Sequence, residues 1–530
     1  MTHLNLDQLD AFSHLISYSK NSLSLKTMMT AERVKRFQAH TPLLSYHYYG
    51  AKIDQTVVRL FQELSEQSNL ISRYKELASG SCINKTENRS VCHHSVRSAS
   101  KTFYSNEFNR IKKFSNNIHT GTIASSNGTP FKKVVQIGIG GSYLGPKSFL
   151  DALMPYATSR NEVKLKSDFI SNIDPDSFYS YLHADSSVFN ETLWIIVSKS
   201  GSTVETTENL NLLRQIANKN GIDISKNIVL VTQKNSRLEK ETPCLNAFYI
   251  DENIGGRFSV TSAVGALIVS LVFSPVYMEN ILKGSREMDE NSLDTNCLTN
   301  LAMLNALNSI WERNCLNYSY KAVIPYSEAL NSFILHLQQT DCESNGKQVN
   351  QNGDFISYQT GPMLVGSAGT NSQHSYFQKF HQGSDICPVQ FIGFKTSQIE
   401  VSNQDPIVGN FKKNHSLLNE NLISQFFALT LGKQSEDPRK NFDGNRPCTL
   451  LICDQLNPET LGALLAFYEN TIMFQGFLWN INSFDQEGVE LGKKLATRLG
   501  QLRKQSSAKG ADNAPTEKLL QTIYSESFDN

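Results

Sequence analysis

No excess of charge of either sign is present in this sequence of 530 residues, because lysine plus arginine and aspartate plus glutamate each number 50. A chain without a net field does not attract a nucleic-acid backbone or an acidic membrane, so we expect any anionic ligand to be held by local groups. Glycine and proline number only 30 and 15 while hydrophobic residues make up 39%, which excludes a collagenous or low-complexity chain. The length indicates about three or four domains or lobes of a globular protein.

Long uninterrupted hydrophobic runs are also lacking. The most apolar stretch, Leu461 to Trp479, contains Glu469 and Asn470 and is predicted to be a buried helix rather than a membrane span. The first 20 residues carry Asp7 before any apolar run, which is not typical of a secretory signal. We therefore expect a cytosolic location.

Paired cysteines and metal-binding clusters are absent from the sequence pattern. The nine cysteines are odd in number and scattered, with no CxxC pair and no histidine at zinc-ligand spacing, so they are predicted to be reduced thiols. His93 and His94 are adjacent and would point in different directions on a helix. We interpret both as partly buried or surface residues, and no metal site is predicted.

The pattern up to about residue 115 is helical and polar, with Val57, Leu60, Phe61 and Leu64 at helical spacing and no clear strand. Short apolar runs then alternate with helical stretches in two successive regions, which predicts parallel sheets covered by helices on both faces. The candidate strands are 134–137, 168–171, 193–197, 228–231 and 248–250 in the first region, and 322–325, 389–394 and 450–453 in the second. Helices are predicted over 328–339 and 422–432, and a polar connection over 283–299.

These patterns predict four parts. Residues 1–115 form an N-terminal helical region, residues 116–290 a first α/β domain, and residues 291–503 a second α/β domain that ends in a C-terminal helix. The remaining residues, 504–530, form a polar tail that we expect to be mobile.

A glycine-rich turn, Gly138 to Gly145, follows the first candidate strand. It does not match the dinucleotide fingerprint, because Tyr143 stands at the position of the third glycine, and Pro146 similarly breaks the pattern of a nucleotide P-loop. Free backbone N–H groups at a strand-to-helix turn favour an anionic or hydroxylated ligand. A tight turn that packs the helix on the sheet is an equally good interpretation, and both stay open.

A second turn, Ser198-Lys199-Ser200-Gly201-Ser202-Thr203, carries more hydroxyl groups than a helix start requires. One serine or threonine would be an ordinary N-cap, and Thr203 could be no more than that. Four hydroxyl residues and a lysine within six positions instead offer several donors to a phosphate group, which carries roughly 1.5 to 2 negative charges. We therefore predict a phosphate site at this turn.

Four other residues carry groups suited to acid–base chemistry. Arg257 follows a glycine pair, so it is either a surface charge or an inward-facing cation that stabilises developing negative charge. Glu343 lies near the predicted C-terminus of a helix, where the helix dipole disfavours a carboxylate and thereby suggests another purpose. His374 and Lys493, each taken alone, are more often surface or capping residues than catalysts.

Together these segments resemble the glucose-6-phosphate isomerase (phosphoglucose isomerase) family, and they occur in that family's order along nearly the whole chain. The motifs that carry the resemblance are Ile83–Arg89, Ile137–Gly145, Ser198–Thr206, Gly255–Arg257, Gln339–Lys347, Gly369–His374, Gly444–Pro447 and Asn482–Lys493. The resemblance implies an α/β fold of two sugar isomerase (SIS) domains, each an α/β/α sandwich with a parallel sheet, plus an N-terminal helical region and a C-terminal arm. The implied reaction is the reversible conversion of D-glucose 6-phosphate to D-fructose 6-phosphate in glycolysis and gluconeogenesis, which needs neither a metal nor a nucleotide cofactor.

The resemblance also implies roles for individual residues. Glu343 would carry the proton between C2 and C1 of the sugar, and Arg257 would hold the charge of the enediolate between the two steps. His374, helped by Lys493, would open the sugar ring, and histidine suits this because its unperturbed pKa is about 6.5. The implied binding residues are Gln339 and Gln486 for sugar hydroxyls or phosphate, Gly141 and Ser142 on the ring side, and Ser198, Lys199, Ser200, Gly201, Ser202 and Thr203 for the phosphate. The implied assembly is a homodimer with its sites at the subunit interface and the histidine supplied across it.

The sequence departs from the family's pattern at three sites, one of which is a pair of adjacent residues. Tyr143 stands where aspartate is common, Gly201 and Ser202 replace Phe-Thr, and Asn470 occupies a position often held by histidine. These departures concern the shape of the phosphate loop rather than the reaction class.

Other classes of protein remain as alternatives. A non-catalytic sugar-phosphate sensor would not need the four acid–base residues together, and a nicotinamide-dependent oxidoreductase fails the glycine fingerprint. An isomerase acting on another phosphosugar, such as mannose 6-phosphate, is not distinguished by the sequence.

Overall fold

The computed structural model describes residues 3–98 and 102–505, together with residues 515, 519, 522 and 523. It divides into two units, Met1–Phe484 and Asp485–Asn530. The first unit contains two β-sheets and the helices around them.

The N-terminal part of the first unit is mainly helical, as the sequence predicts. Its elements are α1 (Asp10–Tyr18), α2 (Leu25–Met28), α3 (Ala31–Arg36), β1 (Gln38–His40), β2 (Ser45–His47), α4 (Gln55–Gln67), α5 (Leu70–Ala78) and α6 (Thr102–His119). The prediction that this region has no strand is wrong, because β1 and β2 pair with each other. Strands of three residues are too short to establish an alternating pattern.

The first α/β region follows. Its elements are β3 (Lys133–Ile137), α7 (Leu144–Ser159), β4 (Lys166–Ile170), α8 (Tyr179–Leu182), α9 (Ser186–Asn190), β5 (Thr192–Val197), α10 (Val204–Lys219), β6 (Ile228–Thr232), α11 (Arg237–Glu241), β7 (Asn246–Tyr249), α12 (Ala263–Val272) and α13 (Pro275–Asn291). The five strands form one parallel sheet in the order β4-β3-β5-β6-β7.

Both faces of this sheet are buried, which explains why its strands read as apolar runs rather than alternating ones. On β5, Leu193 and Ile195 join one hydrophobic cluster while Trp194 and Ile196 join another. The second cluster includes Leu213 of α10. Helices therefore cover the sheet on each side.

The second α/β region carries the other sheet. Its elements are α14 (Leu301–Ile310), β8 (Tyr320–Pro325), α15 (Asn331–Asn345), β9 (Met363–Val365), α16 (Gly369–Gln373), α17 (Phe377–Gln382), β10 (Val389–Phe394), α18 (Val408–Leu431), β11 (Cys448–Cys453) and α19 (Pro458–Leu478). The sheet order is β1-β2-β11-β10-β8-β9, in which β8 to β11 are parallel and β2 lies antiparallel to β11. The N-terminal hairpin thus extends a parallel sheet at its edge.

The predicted α/β class with two parallel sheets is confirmed, and each of the eight candidate strands overlaps an observed one. The predicted connection at 283–299 is too long, because α13 continues to Asn291. Its buried residues Ile281, Gly284, Ser285 and Met288 follow helical spacing, so the charged composition there belongs to the exposed side of an amphipathic helix.

The apolar stretch around residue 470 is a buried helix, as predicted. Helix α19 is buried at all but one of its positions and packs against α13, α14 and α15. Within the described part of the chain, no helix is long and apolar enough to cross a membrane.

The second unit contains one long described helix, α20 (Glu490–Gln505), preceded by a short 3-10 turn at Glu487–Val489. The helix includes the first two residues of the predicted polar tail. Apart from residues 515, 519, 522 and 523, the rest of that tail lies outside the described residues.

Candidate active site

The topology of the first sheet locates a ligand-binding edge. The strand order reverses between β3 and β5, and in open parallel sheets ligands bind beyond the carboxyl ends of strands at such a switch point. The glycine turn begins directly after β3, and the hydroxyl-rich turn at 198–203 begins directly after β5. Both predicted binding segments therefore lie at the same edge of the sheet.

The glycine turn is packed against the segment that contains Arg257. Residues Gly140–Ser142 form a 3-10 turn before α7, and a Cβ atom added to Gly141 would overlap the carbonyl group of Gly256. The close-packing interpretation of Gly141 is therefore supported. Ser142 is half-buried, and its carbonyl oxygen accepts a hydrogen bond of 2.8 Å from Nε2 of Gln136.

In the hydroxyl-rich turn, the side chains bond to one another rather than cap the helix. The Oγ atom of Ser198 lies 2.9 Å from Oγ1 of Thr203 and accepts a hydrogen bond from the Gly201 amide. Thr203 is the N-cap residue of α10, yet its side chain makes no capping bond. Capping alone therefore does not explain these hydroxyl groups.

Two further hydroxyl groups in this turn are exposed. Ser200 and Ser202 share a hydrogen bond of 3.0 Å between their Oγ atoms, and both precede the N-terminus of α10, where the helix dipole favours an anion. Gly201 has a φ of +70°, and an added Cβ would lie 2.8 Å from the amide nitrogen of Leu238, so a side chain at this position would strain the turn.

Lys199 points away from its hydroxyl neighbours. Its Nζ atom donates to the carbonyl oxygens of Glu252 at 2.7 Å and Ile254 at 2.8 Å. Burial, together with the smaller effect of the nearby Arg89, lowers the pKa of this lysine to about 8. The side chain therefore contacts the backbone segment that leads to Arg257.

Arg257 is buried, with its side chain 1% exposed, which settles the alternative between a surface charge and an inward-facing cation. Its Nε atom donates to Oγ of Ser344 at 2.7 Å, and its Nη2 atom donates to the carbonyl oxygen of Ser483 at 2.6 Å. Its Nη1 atom lies 3.7 Å from Oε2 of Glu343. Ser344 and Ser483 thus hold the guanidinium, and one of its nitrogens lies beside the Glu343 carboxylate.

Glu343 lies in the last turn of α15, as the sequence predicts, and its side chain is 19% exposed. One turn earlier, Nε2 of Gln339 donates to Oε2 of Glu343 at 3.2 Å. A Cβ atom added to Gly140 would lie 3.1 Å from the same Gln339 nitrogen. The end of α15, the glycine turn and the arginine segment therefore meet, and the carboxylate remains accessible for proton transfer.

His374 lies outside this cluster of contacts, and Gln486 and Lys493 belong to the second unit. His374 follows α16 and is exposed, and its backbone N–H donates to the carbonyl oxygen of Asn371. Lys493 belongs to α20 in the second unit, where its exposed Nζ lies 2.7 Å from Oε1 of Glu490. Gln486 precedes the 3-10 turn of that unit and is half-buried.

Ser344 and Ser483, which hold Arg257, are not among the residues to which the sequence gives a role. Both lie inside motifs that carry the family resemblance. A small hydroxyl side chain does not indicate from sequence which distant residue it will contact. Asn345 is a further missed residue: its amide donates to Oε1 of Gln475 and its Oδ1 accepts from Ser483. These buried groups fix the relative position of α15 and α19 behind the site.

Two of the three departures from the family pattern lie outside the carboxylate–arginine pair. Asn470 is buried in α19 and donates to Asp289 and Ser292 at 3.0 Å each. Tyr143 packs edge-on against Phe169. Neither side chain contacts Glu343 or Arg257 through a hydrogen bond.

The adjacent histidines 93 and 94 are buried. His93 stacks on Phe258 with ring centroids 4.6 Å apart, and burial lowers its pKa well below 6.5. The interpretation of the two histidines as partly buried or surface residues is therefore wrong, because both are buried. In the part of the chain that the structure describes, no group of three or more His, Cys, Asp or Glu side chains could hold a metal ion.

A carboxylate beside a buried cation, at the edge of a doubly wound sheet, defines an α/β enzyme equipped for proton transfer. The family model of phosphoglucose isomerase matches residues 47–520. The glucose-6-phosphate isomerase of Treponema denticola is 43% identical over 93% of this chain and 96% of its own length, and that of Borreliella burgdorferi is 44% identical over 94% and 96%. The crystal structure of a glucose-6-phosphate isomerase from Chlamydia trachomatis has a TM-score of 0.88 and 33% identity and covers 98% of this chain and 99% of that one. The chain belongs to the phosphoglucose isomerase family.

The family resemblance seen in the sequence is therefore confirmed, and the chain is an isomerase. Family membership also excludes the two other classes considered from the sequence, a non-catalytic sensor and a nicotinamide-dependent oxidoreductase, as descriptions of its main activity.

Proposed function

We propose that Glu343 is the base that moves a proton between C2 and C1 as this chain interconverts D-glucose 6-phosphate and D-fructose 6-phosphate. The observation that carries the proposal is the separation of 3.7 Å between Oε2 of Glu343 and Nη1 of the buried Arg257. A partly exposed carboxylate can accept a proton from a substrate, and a fixed cation beside it can offset the charge that then develops.

The proton and electron movements follow from this pair. Glu343 takes the proton from C2 of the open-chain aldose, the C2–H electrons form a C1–C2 double bond, and the aldehyde oxygen becomes the enediolate oxygen. Arg257 stabilises this anion. The proton of the C2 hydroxyl passes to the C1 oxygen, C2 becomes the ketone carbon, and Glu343 returns its proton to C1.

Ring opening comes first and needs a separate acid–base group, because the sugar phosphate arrives as a closed ring. We assign it to His374, with help from Lys493, on the strength of the family motifs in which both residues stand. The exposure of His374 is compatible with its being supplied to the site of a partner subunit. We propose a homodimer on this basis, and a cytosolic location from the character of the sequence.

The phosphate group would bind at the N-terminus of α10. Ser200 and Ser202 present exposed hydroxyl groups there, and Ser198 and Thr203 pair directly behind them. Gln339 would contact the sugar from the α15 side, because its amide already lies between Glu343 and the glycine turn. Gly141, Ser142 and Gln486 complete the proposed binding set.

Two variants test the assignment of the two proton-transfer groups. Glu343→Gln keeps shape and hydrogen bonding but cannot accept a proton, so isomerisation should fall by at least about 100-fold. Exchange of the C2 proton of glucose 6-phosphate with deuterium oxide should be lost as well, because exchange needs the enediolate. His374→Ala should be slow on the closed ring and recover activity on the open-chain fraction.

Exchange and isomerisation would be measured side by side, with Glu420→Gln, an exposed glutamate on α18, as the matched control. Near-normal exchange in a folded Glu343→Gln variant would remove Glu343 from the mechanism. Initial rates on mannose 6-phosphate would show whether a second phosphosugar is a substrate.

A further inference from the structure

The side chain of Lys199 connects two segments of the site that the sequence analysis treated separately. Lys199 belongs to the hydroxyl-rich turn after β5, but its Nζ donates to the carbonyl oxygens of Glu252 and Ile254 at 2.7 and 2.8 Å. An ammonium group has three N–H donors, and two of them are used by these carbonyl groups. The lysine therefore holds backbone rather than facing the exposed hydroxyl groups of its own turn.

The segment that Lys199 holds leads directly into Arg257. Between Ile254 and the arginine stand only Gly255 and Gly256, and two glycines do not restrict the backbone by themselves. Gly256 is packed against Gly141 on one side, and Lys199 fixes the segment on the other. Without the lysine, the backbone before the arginine would lose two of the hydrogen bonds that hold it.

The N-terminal layer also holds this segment, at a different point. The carbonyl oxygen of Asn253 accepts from the amide of Cys92 at 3.0 Å, and its Oδ1 accepts from the amide of Ser90 at 3.1 Å. These bonds attach the segment to the N-terminal layer. The side chain of Lys199 attaches the same segment to the hydroxyl-rich turn, which is the predicted phosphate site.

We propose that Lys199 is a positioning residue that sets the location of Arg257 relative to the phosphate site, and that its side chain is not a ligand of the phosphate. The proposal rests on the proposed function of Arg257 and of the hydroxyl-rich turn. It changes the role that the family resemblance implied for this side chain, while the backbone amides of the turn remain available to the substrate.

Direct phosphate binding by this side chain would carry an energetic cost. Turning Nζ toward a phosphate would leave the carbonyl oxygens of Glu252 and Ile254 without this donor. Glu252 is exposed, but Ile254 is buried, and an acceptor shielded from water that loses its partner carries a desolvation cost. The charged groups around the ammonium are Arg89, Glu87, Asp251 and Glu252. Three of these four groups are carboxylates, so anionic side chains are already present near the ammonium.

The test compares two uncharged replacements that differ in hydrogen bonding. Lys199→Met removes the donors and the charge, whereas Lys199→Gln removes the charge but keeps two N–H donors for the carbonyl groups. Inorganic phosphate, used as a competitive inhibitor, probes the phosphate site alone. Lys240→Met, an exposed lysine on α11, is the matched control.

For a positioning residue, kcat of Lys199→Met should fall by about tenfold or more, while the inhibition constant of inorganic phosphate stays within about twofold of the wild-type value. Lys199→Gln should recover part of the lost kcat. In an Arg257→Lys background, Lys199→Met should cause little further loss, because both changes act through the same guanidinium.

The opposite pattern would overturn the proposal. If the side chain binds phosphate, both uncharged variants should weaken inhibition by phosphate by about tenfold or more, with kcat less affected. Additive losses in the double variant, or an unchanged kcat in Lys199→Met, would also contradict it. An inactive wild-type enzyme on glucose 6-phosphate would instead refute the proposed function, so the two failures are distinguishable.

Discussion

The Nη1 atom of Arg257 lies 3.7 Å from Oε2 of Glu343, and the other side of the guanidinium is held by the hydroxyl of Ser344 and the carbonyl of Ser483. Hydrogen bonds to Ser344 and Ser483 orient the arginine side chain. A cation that is already oriented needs no reorganisation when negative charge develops beside it. In the proposed mechanism the pair would combine a proton acceptor with a fixed stabiliser of the enediolate.

Arg257→Lys tests whether this orientation matters beyond the charge itself. A lysine keeps the positive charge but cannot reproduce the planar set of donors. We expect kcat to fall by roughly 100- to 1,000-fold, as for the loss of one oriented donor in an active site, with a smaller change in KM. The free energy of unfolding should fall by about 1 to 3 kcal/mol if the buried Ser483 carbonyl loses its donor.

Steady-state kinetics and urea unfolding would measure the two effects, with the exposed Arg59→Lys as control. A wild-type kcat in Arg257→Lys would show that the charge alone suffices and that its fixed geometry has no catalytic role.

The sequence predicts the strands and turns of this site better than the side-chain contacts between them. The strands after which the two binding turns occur were evident because they are buried on both faces and therefore read as apolar runs. The family motifs predict roles for Glu343 and Arg257, and these two side chains lie 3.7 Å apart. By contrast, the side-chain direction of Lys199 depends on two carbonyl groups near residue 253, and no local pattern specifies such a contact.

Local sequence patterns also fail to predict the short strands β1 and β2 and the two serines that hold Arg257. Strand β2 pairs with β11, which lies some 400 positions further along the chain, and β1 pairs with β2. Each of the two strands has only three residues, too few to show a period. Ser344 and Ser483 are recognisable as partners of Arg257 only once the chain is folded, because their small side chains suit many environments.

The hydroxyl groups before α10 lead to a second prediction. Removing the Ser200 and Thr203 hydroxyls, in the double variant Ser200→Ala with Thr203→Val, should raise KM and weaken inhibition by inorganic phosphate, with a smaller change in kcat. Each lost hydrogen bond to a charged group is worth roughly 1.5 to 3 kcal/mol. Competition assays with inorganic phosphate would measure the change in affinity directly.

Thr207→Val is the matched control, since the Thr207 hydroxyl donates to carbonyl groups of its own helix, those of Thr203 and Val204. Unchanged substrate and phosphate affinity in the double variant would show that the hydroxyl groups before α10 serve the turn and not the ligand.

A third prediction tests the proposed subunit interface. If a complete site takes Glu343 from one subunit and His374 from the other, mixing the two inactive variants Glu343→Gln and His374→Ala should restore activity. Each mixed dimer would then contain one intact and one doubly defective site, so random exchange should give about one quarter of the wild-type activity per site. Activity assays after subunit exchange would measure it.

The control is each variant carried through the same exchange with itself, which should regain nothing. A mixture that stays inactive while forming mixed dimers would place both residues in one subunit's site. Sedimentation of an active monomer would contradict the homodimer altogether.

The last prediction concerns Asp341, two residues before Glu343 on α15. Its side chain is buried, and its Oδ1 has no hydrogen-bond partner among the residues that the structure describes. Burial raises the pKa of this carboxyl from 3.8 to about 7, although a hydrogen bond with Asn345 and the charge of Lys321 oppose the rise. Lys321 already forms an ion pair with Glu312 at 2.6 Å, so its charge stabilises the ionised form of Asp341 only weakly.

The sign of the pH effect follows from this shift. Between pH of about 4 and about 7 the folded state retains a proton that the unfolded state has released, so the contribution of Asp341 to the free energy of unfolding falls as the pH rises through this window. Asp341→Asn removes the ionisable group. The variant should therefore gain stability relative to the wild type, and the gain should be larger at pH 8 than at pH 5.

Urea unfolding at both pH values would measure the difference, and activity should stay within a few-fold of the wild type because the amide keeps the shape of α15. Asp176→Asn, the same change at an exposed position, should show no such dependence on pH. A variant that loses stability at pH 8 would mean that Asp341 is ionised in the folded protein and paired with Lys321, and the buried face of α15 would then be held by a charge interaction rather than by a neutral carboxyl group.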